Sequence, residues 1–140
     1  METTVETIAH PKRVLIVDDN RDAADLTAIL LEMHGHVVAA AYGGAHGIEL
    51  AQQFKPDVVL LDIGMPGLNG YDVASALRKI PEVDHALLVA YTAWNDAATR
   101  SRAAAVGFDR HLAKPARIES LLAALDGAAR TATAGADARS

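Results

Sequence analysis

Asp18, Asp19 and Asp62 each follow an unbroken apolar run: Val14, Leu15, Ile16 and Val17 before the first two, and Val58, Val59, Leu60 and Leu61 before the third. Thr92 closes a similar run that begins at Ala86, and Lys114 follows the stretch 108–113 and directly precedes Pro115. Runs that do not alternate with polar residues mark strands covered on both faces, as in a parallel sheet between helices. In open sheets of that kind, ligands bind in the crevice at the carboxyl ends of the strands. Three carboxylates gathered there would repel one another, and at least one would hold a proton unless a cation compensated. Oxygen ligands with no neighbouring histidine or cysteine favour a hard ion such as Mg²⁺. A lysine and a hydroxyl beside that ion suit a transferring phosphoryl group, because positive charge offsets its oxygens and the hydroxyl holds one in place. The expectation is that Asp62 is a nucleophile that accepts phosphate.

The elements that must position these residues alternate regularly. A strand ending at Val17 precedes a helix capped by Asn20 or Asp19, with Leu26, Ile29, Leu30 and Met33 at i, i+3, i+4, i+7 as its expected inward stripe and Gly35 as its stop. The stretch 36–41 reads as a less hydrophobic edge strand. Gly43 and Gly44 open a second helix that buries Ala45, Ile48, Ala51 or Gln52, and Phe54. After Asp62, the loop 64–70 holds Gly64, Pro66, Gly67 and Gly70, a composition suited to a tight, shaped turn. A third helix over 71–80 turns Val73, Leu77 and Ile80 inward. Asn95 or Asp96 starts a fourth, alanine-rich helix over 97–105, which has little large apolar surface and is expected to be weakly anchored. A last helix carries Ile118, Leu121, Leu122 and Leu125 at helical spacing. Five such alternations specify a doubly wound, five-stranded parallel sheet with helices on both faces.

The totals narrow the function classes. The 140 residues suit one domain, with a loose leader over 1–12, an ordered region over 13–126 and a loose tail over 127–140. The chain contains no cysteine, which excludes disulfides and thiolate metal sites. A formal net charge of −5 argues against nucleic acid as a partner, and the apolar runs are too short to span a membrane. With no signal-peptide pattern at the amino terminus, a cytoplasmic address is expected. Five histidines, His10, His34, His36, His46 and His85, are scattered without ligand spacing.

The run from Val14 through Asp18, Asp19 and Asn20 resembles a known family, as do the run from Leu61 to Gly70, the sequence Tyr91, Thr92, Ala93, and the pair Lys114, Pro115. The family is that of the receiver domains of two-component response regulators, in the stand-alone, single-domain form. The resemblance spans 13–126 and implies a flavodoxin-like fold with strand order 2-1-3-4-5. It implies that Asp62 is phosphorylated from the phosphohistidine of a sensor histidine kinase or a histidine phosphotransfer protein. Asp19, Asp62 and the backbone carbonyl of Gly64 would ligate Mg²⁺, with Asp18 acting partly through water. Thr92 and Lys114 would bind phosphoryl oxygens, and the Lys114–Pro115 peptide would be cis. Output would pass to a downstream protein target or along a phosphorelay, from a monomer or a weak, phosphorylation-dependent dimer.

Two residues depart from the common pattern of that family. His111 stands where an aromatic side chain usually turns inward as the threonine moves, so Thr92 and His111 together form the expected switch. Histidine changes charge near neutral pH, and switching is expected to depend mildly on pH. Trp94, two residues past Thr92, is placed to cover the aspartyl phosphate. The alternative reading is a small Mg-dependent phosphatase with an aspartyl nucleophile. Such enzymes typically carry a second aspartate two residues after the first, where this chain has Gly64. The chain is therefore expected to be no enzyme beyond its own phosphorylation and dephosphorylation.

Overall fold

The computed structural model describes residues 11–126, so most of the expected leader and all of the expected tail lie outside the described residues. Five strands, β1 (Arg13–Val17), β2 (Val37–Ala41), β3 (Val58–Leu61), β4 (Leu87–Thr92) and β5 (Arg110–Ala113), form one parallel sheet in the order β2-β1-β3-β4-β5. They alternate with α1 (Arg21–Met33), α2 (Gly44–Phe54), α3 (Gly70–Leu77), α4 (Ala97–Val106) and α5 (Ile118–Leu125). This is the expected doubly wound sheet, with β2 at an edge. Val17 pairs with Leu61 and Leu61 with Ala90, so β1 and β3 finish level and β4 runs two residues further, to Thr92.

Burial on both faces explains the unbroken apolar runs. Leu15, Val17, Val59, Leu61, Leu88 and Ala90 belong to a core with Ala51, Val73, Ala74, Leu77 and Ala103, which come from α2, α3 and α4. Val14, Ile16, Val58, Leu60, Val89 and Tyr91 pack on the opposite face with Ala24 and Leu31 of α1 and Leu121, Ala124 and Leu125 of α5. Asn20 is the cap of α1, its side-chain oxygen accepting from the Ala23 amide. Asp96 caps α4 by accepting from the Thr99 amide. The third helix begins one residue earlier than expected, at Gly70, behind a reciprocal capping box between Asn69 and Asp72.

The expected inward stripe of α1 is overturned. Leu26, Ile29 and Met33 are 58%, 53% and 73% exposed, while Ala24, Thr27 and Leu31 are buried. The helix meets the sheet through Ala24, Thr27 and Leu31, with Leu30 partly buried, while Leu26, Ile29 and Met33 stand in water. On α2, Ala45 and Gln52 are likewise exposed, Gly44, Gly47 and Ala51 are buried, and Ile48 and Phe54 pack partly buried against the core as expected. In α4 only Ala103 is buried, in keeping with a weakly anchored helix.

An unanticipated clasp ties the end of α3 to the segments that lead into β4 and β5. The Arg78 guanidinium donates to the carbonyls of Gly107, Asp84 and Ala86 and to the carboxylate of Asp109, at distances from 2.6 to 3.1 Å. The same Asp109 oxygen accepts from the Leu88 amide at 2.8 Å, which holds the start of β5 against β4.

Candidate functional site

The sheet ladder itself aims the acidic residues. Asp18 N–H donates to the Ala41 carbonyl and Asp62 N–H to the Val17 carbonyl, each at 3.0 Å, one step past the last strand residues. Beyond that step the backbone turns away. The Asn20 amide folds back to Asp18 Oδ1 at 3.0 Å, and the Gly64 amide to Asp62 Oδ1 at 3.2 Å. The loop after Asp62 is held by Gly70, where a Cβ would lie 2.5 Å from the Asp62 carbonyl oxygen. Only glycine permits that approach.

The structure brings Asp18, Asp19, Asp62 and Lys114 together. One carboxylate oxygen from each aspartate lies within 4.8 Å of the others, a set able to hold a metal ion. Lys114 Nζ donates to Asp18 Oδ2 at 2.5 Å and to Asp62 Oδ2 at 3.2 Å. The side chains of Asp18, Asp62 and Lys114 are 4%, 12% and 19% exposed, so water screens these charges little. Burial raises the Asp18 pKa above its ordinary value, and Asp62 adds to the rise, although bonding to Lys114 and the Asn20 amide opposes it. Burial works against the Lys114 ammonium too, yet the two aspartates outweigh it and raise the lysine pKa. The cluster thus holds its negative charge at a cost that a lysine only partly offsets.

The remaining candidates surround this centre. Thr92 is buried at the end of β4, and its hydroxyl oxygen accepts from the Trp94 amide at 3.2 Å. The Lys114–Pro115 peptide is cis, and the Lys114 amide donates to the Thr92 carbonyl at 3.0 Å. Gly64 lies in the loop at the mouth, against the Trp94 indole: a Cβ on Gly64 would meet that ring at 3.0 Å. His111 is turned toward the β4–α4 loop, with Nε2 2.9 Å from the Trp94 carbonyl. A carbonyl only accepts, so Nε2 carries the proton, and the buried Nδ1 has no hydrogen-bond partner among the described residues.

Tyr91 was not anticipated. Its hydroxyl accepts from the Ala116 amide at 3.2 Å and its ring centroid lies 5.7 Å from Lys114 Nζ, so it supports the backbone that presents the lysine. In the sequence it reads as one more apolar strand residue before Thr92, and only the packing shows the role.

A parallel sheet of this order, with an acidic cluster and a lysine at its carboxyl edge, defines a signal receiver domain. The family model described as "Response regulator receiver domain" matches residues 14–126, and the chain belongs to that family. It is 39% identical over 110 residues to Protein PilH of Pseudomonas aeruginosa, covering 79% of this chain and 91% of that protein. It is 34% identical over 111 residues to the DNA-binding dual master transcriptional regulator RpaA of Synechocystis, but there it covers 79% of this chain and only 46% of the relative. Among solved structures, the chemotaxis protein CheY4 of Vibrio cholerae superposes with a TM-score of 0.79 at 27% identity, over 82% of this chain and 96% of that one. A response regulator protein from Burkholderia pseudomallei, with a phosphorylated aspartic acid, calcium ion and citrate, gives a TM-score of 0.76 at 31% identity. That match covers 89% of this chain and 72% of the other. Among the described residues no helix is long and apolar enough to cross a membrane.

Proposed function

We propose that the chain is a single-domain response regulator that accepts a phosphoryl group on Asp62 from a histidine kinase or histidine phosphotransfer protein. The observation that carries this reading is the convergence of Asp18, Asp19, Asp62 and Lys114 at one sheet edge. Asp62 attacks phosphorus, the P–N bond to the donor imidazole breaks, and the imidazole leaves. Lys114 and the Thr92 hydroxyl stabilise the phosphoryl oxygens. The all-oxygen set suits Mg²⁺, held by Asp19, Asp62 and the Gly64 carbonyl with Asp18 acting through water; when bound, it would supply positive charge against those oxygens. The Burkholderia relative carries a phosphorylated aspartic acid and was solved with a calcium ion, which supports this reading.

The apolar stripe of Leu26, Ile29 and Met33 on α1 is the surface on which the donor docks, because α1 begins directly after the acidic residues. Phosphorylation adds charge at the site, and Thr92, His111 and the lightly anchored α4 carry the change to a protein target or the next carrier of a relay. The setting is cytoplasmic, nucleic acid and membrane are not partners, and the chain acts catalytically only on its own aspartyl phosphate. Self-association, if phosphorylation drives it, is weak.

The test is intact mass after incubation with Mg²⁺ and acetyl phosphate, beside an Asp62→Asn variant and an EDTA control. One added phosphoryl group that requires both Asp62 and Mg²⁺ is the expected result. No gain by the folded parent would overturn the proposal.

A further inference from the structure

The corner between α1 and β2 presents one imidazole to the start of the sheet. Gly35, at φ 92°, takes the left-handed conformation that closes a helix. Its amide donates to the Glu32 carbonyl at 3.0 Å and the His36 amide to the Leu31 carbonyl at 3.2 Å, the paired bonds of a Schellman motif. His36 is thereby fixed one residue before β2, across from Lys12, the residue before β1. Lys12 is only 7% exposed, and its peptide groups are held from both sides of this corner. Its carbonyl accepts from the Val37 amide at 3.0 Å, and its amide donates to His36 Nδ1 at 3.0 Å. The ring thus adds one rung to the β1–β2 ladder beyond its first paired residues, Arg13 and Val37.

A backbone amide only donates, so His36 Nδ1 is unprotonated and the neutral ring carries its proton on Nε2. A second proton, on Nδ1, would set two donors face to face and leave the Lys12 amide without this acceptor. His34, two residues earlier, is wired the other way. Its Nδ1 lies 3.0 Å from the Leu30 carbonyl, which only accepts, so Nδ1 is the donor and the bond survives when the ring is charged. A cation in the last turn also suits the helix dipole. The two histidines of this corner answer acid in opposite senses.

We infer that His36 is an acid-released latch: its neutral ring holds the entry of β1 against β2 and the end of α1, and its protonation opens that corner. The charged groups that face the ring are Lys12, from the segment leading into β1, and His34, from the end of α1; β2 itself carries none. Burial first, then Lys12 and His34, lower the His36 pKa below its ordinary value, so the latch is closed at neutral pH. A group with a depressed folded pKa contributes stability above its unfolded pKa, and that contribution is lost as pH falls through the folded value. The latch lies at the opposite end of β1 from Asp18, so it acts without touching the phosphoacceptor and does not rest on the function proposed above.

The experiment uses the full chain and NMR. The imidazole titration of His36 gives its pKa, and protection of the Lys12 amide against hydrogen exchange is compared about one pH unit above and about one below that value, each relative to the intrinsic exchange rate. Protection is expected to fall by about tenfold or more between them, because the neutral fraction falls by about that factor. His36→Asn places an acceptor close to the position of Nδ1 and does not titrate, and should keep the higher protection at both pH values. His36→Phe supplies no acceptor and should show the lower protection at both. His34→Asn should retain the fall seen in the parent. Unchanged protection across the His36 titration would overturn the latch, as would a fall that persists in His36→Asn or vanishes in His34→Asn. If His36→Phe does not fold, the parent and His36→Asn decide alone.

Discussion

Replacing Lys114 by methionine keeps the bulk of the side chain and removes its charge. In the parent, the ammonium sits 2.5 Å from Asp18 and 3.2 Å from Asp62, with all three side chains less than one-fifth exposed. Two unit charges about 4 Å apart attract by about 4 kcal/mol at the effective dielectric of a protein surface, and desolvation offsets part of that. Removing one partner of a buried pair costs about 3–5 kcal/mol, because the charge left behind is neither solvated nor paired. The partial exposure of Lys114 places this variant near the lower limit, at about 3 kcal/mol in metal-free buffer. For a domain of this size that is a fall in Tm of roughly 12 °C. The same change removes a cation that competes with a metal ion, so Mg²⁺ should bind the variant more tightly and restore more stability than it does in the parent. Urea unfolding in EDTA and in millimolar Mg²⁺, at pH 7 and again at pH 4, measures all of this. At the lower pH the loss should shrink as Asp18, whose pKa burial raises, takes up a proton. A variant within 1 kcal/mol of the parent in EDTA, or one no more responsive to Mg²⁺, would refute the electrostatic reasoning.

Three other outcomes follow from the geometry. Burial raises the Asp18 pKa above its unfolded value, so the stability tied to its protonated form is present below the unfolded pKa and lost as pH rises through the folded one. Asp18→Asn should therefore be more stable than the parent at pH 7 in EDTA, with the gap closing toward pH 4, as urea melts at the two pH values would show. Arg78→Ala removes a charged donor from three backbone carbonyls and Asp109 and should cost about 2–4 kcal/mol, with Arg78→Lys recovering less than half; denaturant midpoints decide. Ile29→Glu places a charge in the exposed stripe of α1, and should slow transfer from a phosphohistidine protein by tenfold or more while leaving transfer from acetyl phosphate unchanged in the mass assay.

β1, β3 and β4 were legible because they are buried on both faces, and a parallel sheet writes that burial as apolar runs rich in Val and Leu, whereas β2 and β5 at the sheet edges are only partly buried and were read from their place between helices. Their carboxyl ends then located Asp18, Asp62, Thr92 and Lys114 without any distance being known. The side on which α1 rests was not legible. Leu26, Ile29, Leu30 and Met33 have the spacing of a buried stripe, but spacing shows only that a helix has an apolar side, not that the sheet receives it. The contact through Ala24, Thr27 and Leu31 depends on how near the helix can come, which no period encodes. Arg78 escaped notice for another reason: most of its partners are carbonyls, and backbone acceptors have no signature in the sequence. The tie from His111 to Trp94 joins residues 17 apart through a backbone carbonyl, so only the turn of the β4–α4 loop reveals it.

The Arg78 clasp gives α4 a fulcrum. The guanidinium grips the Gly107 carbonyl at the carboxyl end of the helix, and the one buried side chain of α4, Ala103, lies in that same half. Toward Ala97 the helix is nearly all exposed, and it runs back through Asp96 to Trp94. Ten residues make a rod about 15 Å long. A tilt of about 4° about the gripped end carries the free end about 1 Å at that length and leaves the clasp almost still. The helix has the shape of a lever with its long arm toward Trp94 and Gly64, so on the proposed function a small movement beside Trp94 becomes a change of angle along the whole outer surface of α4.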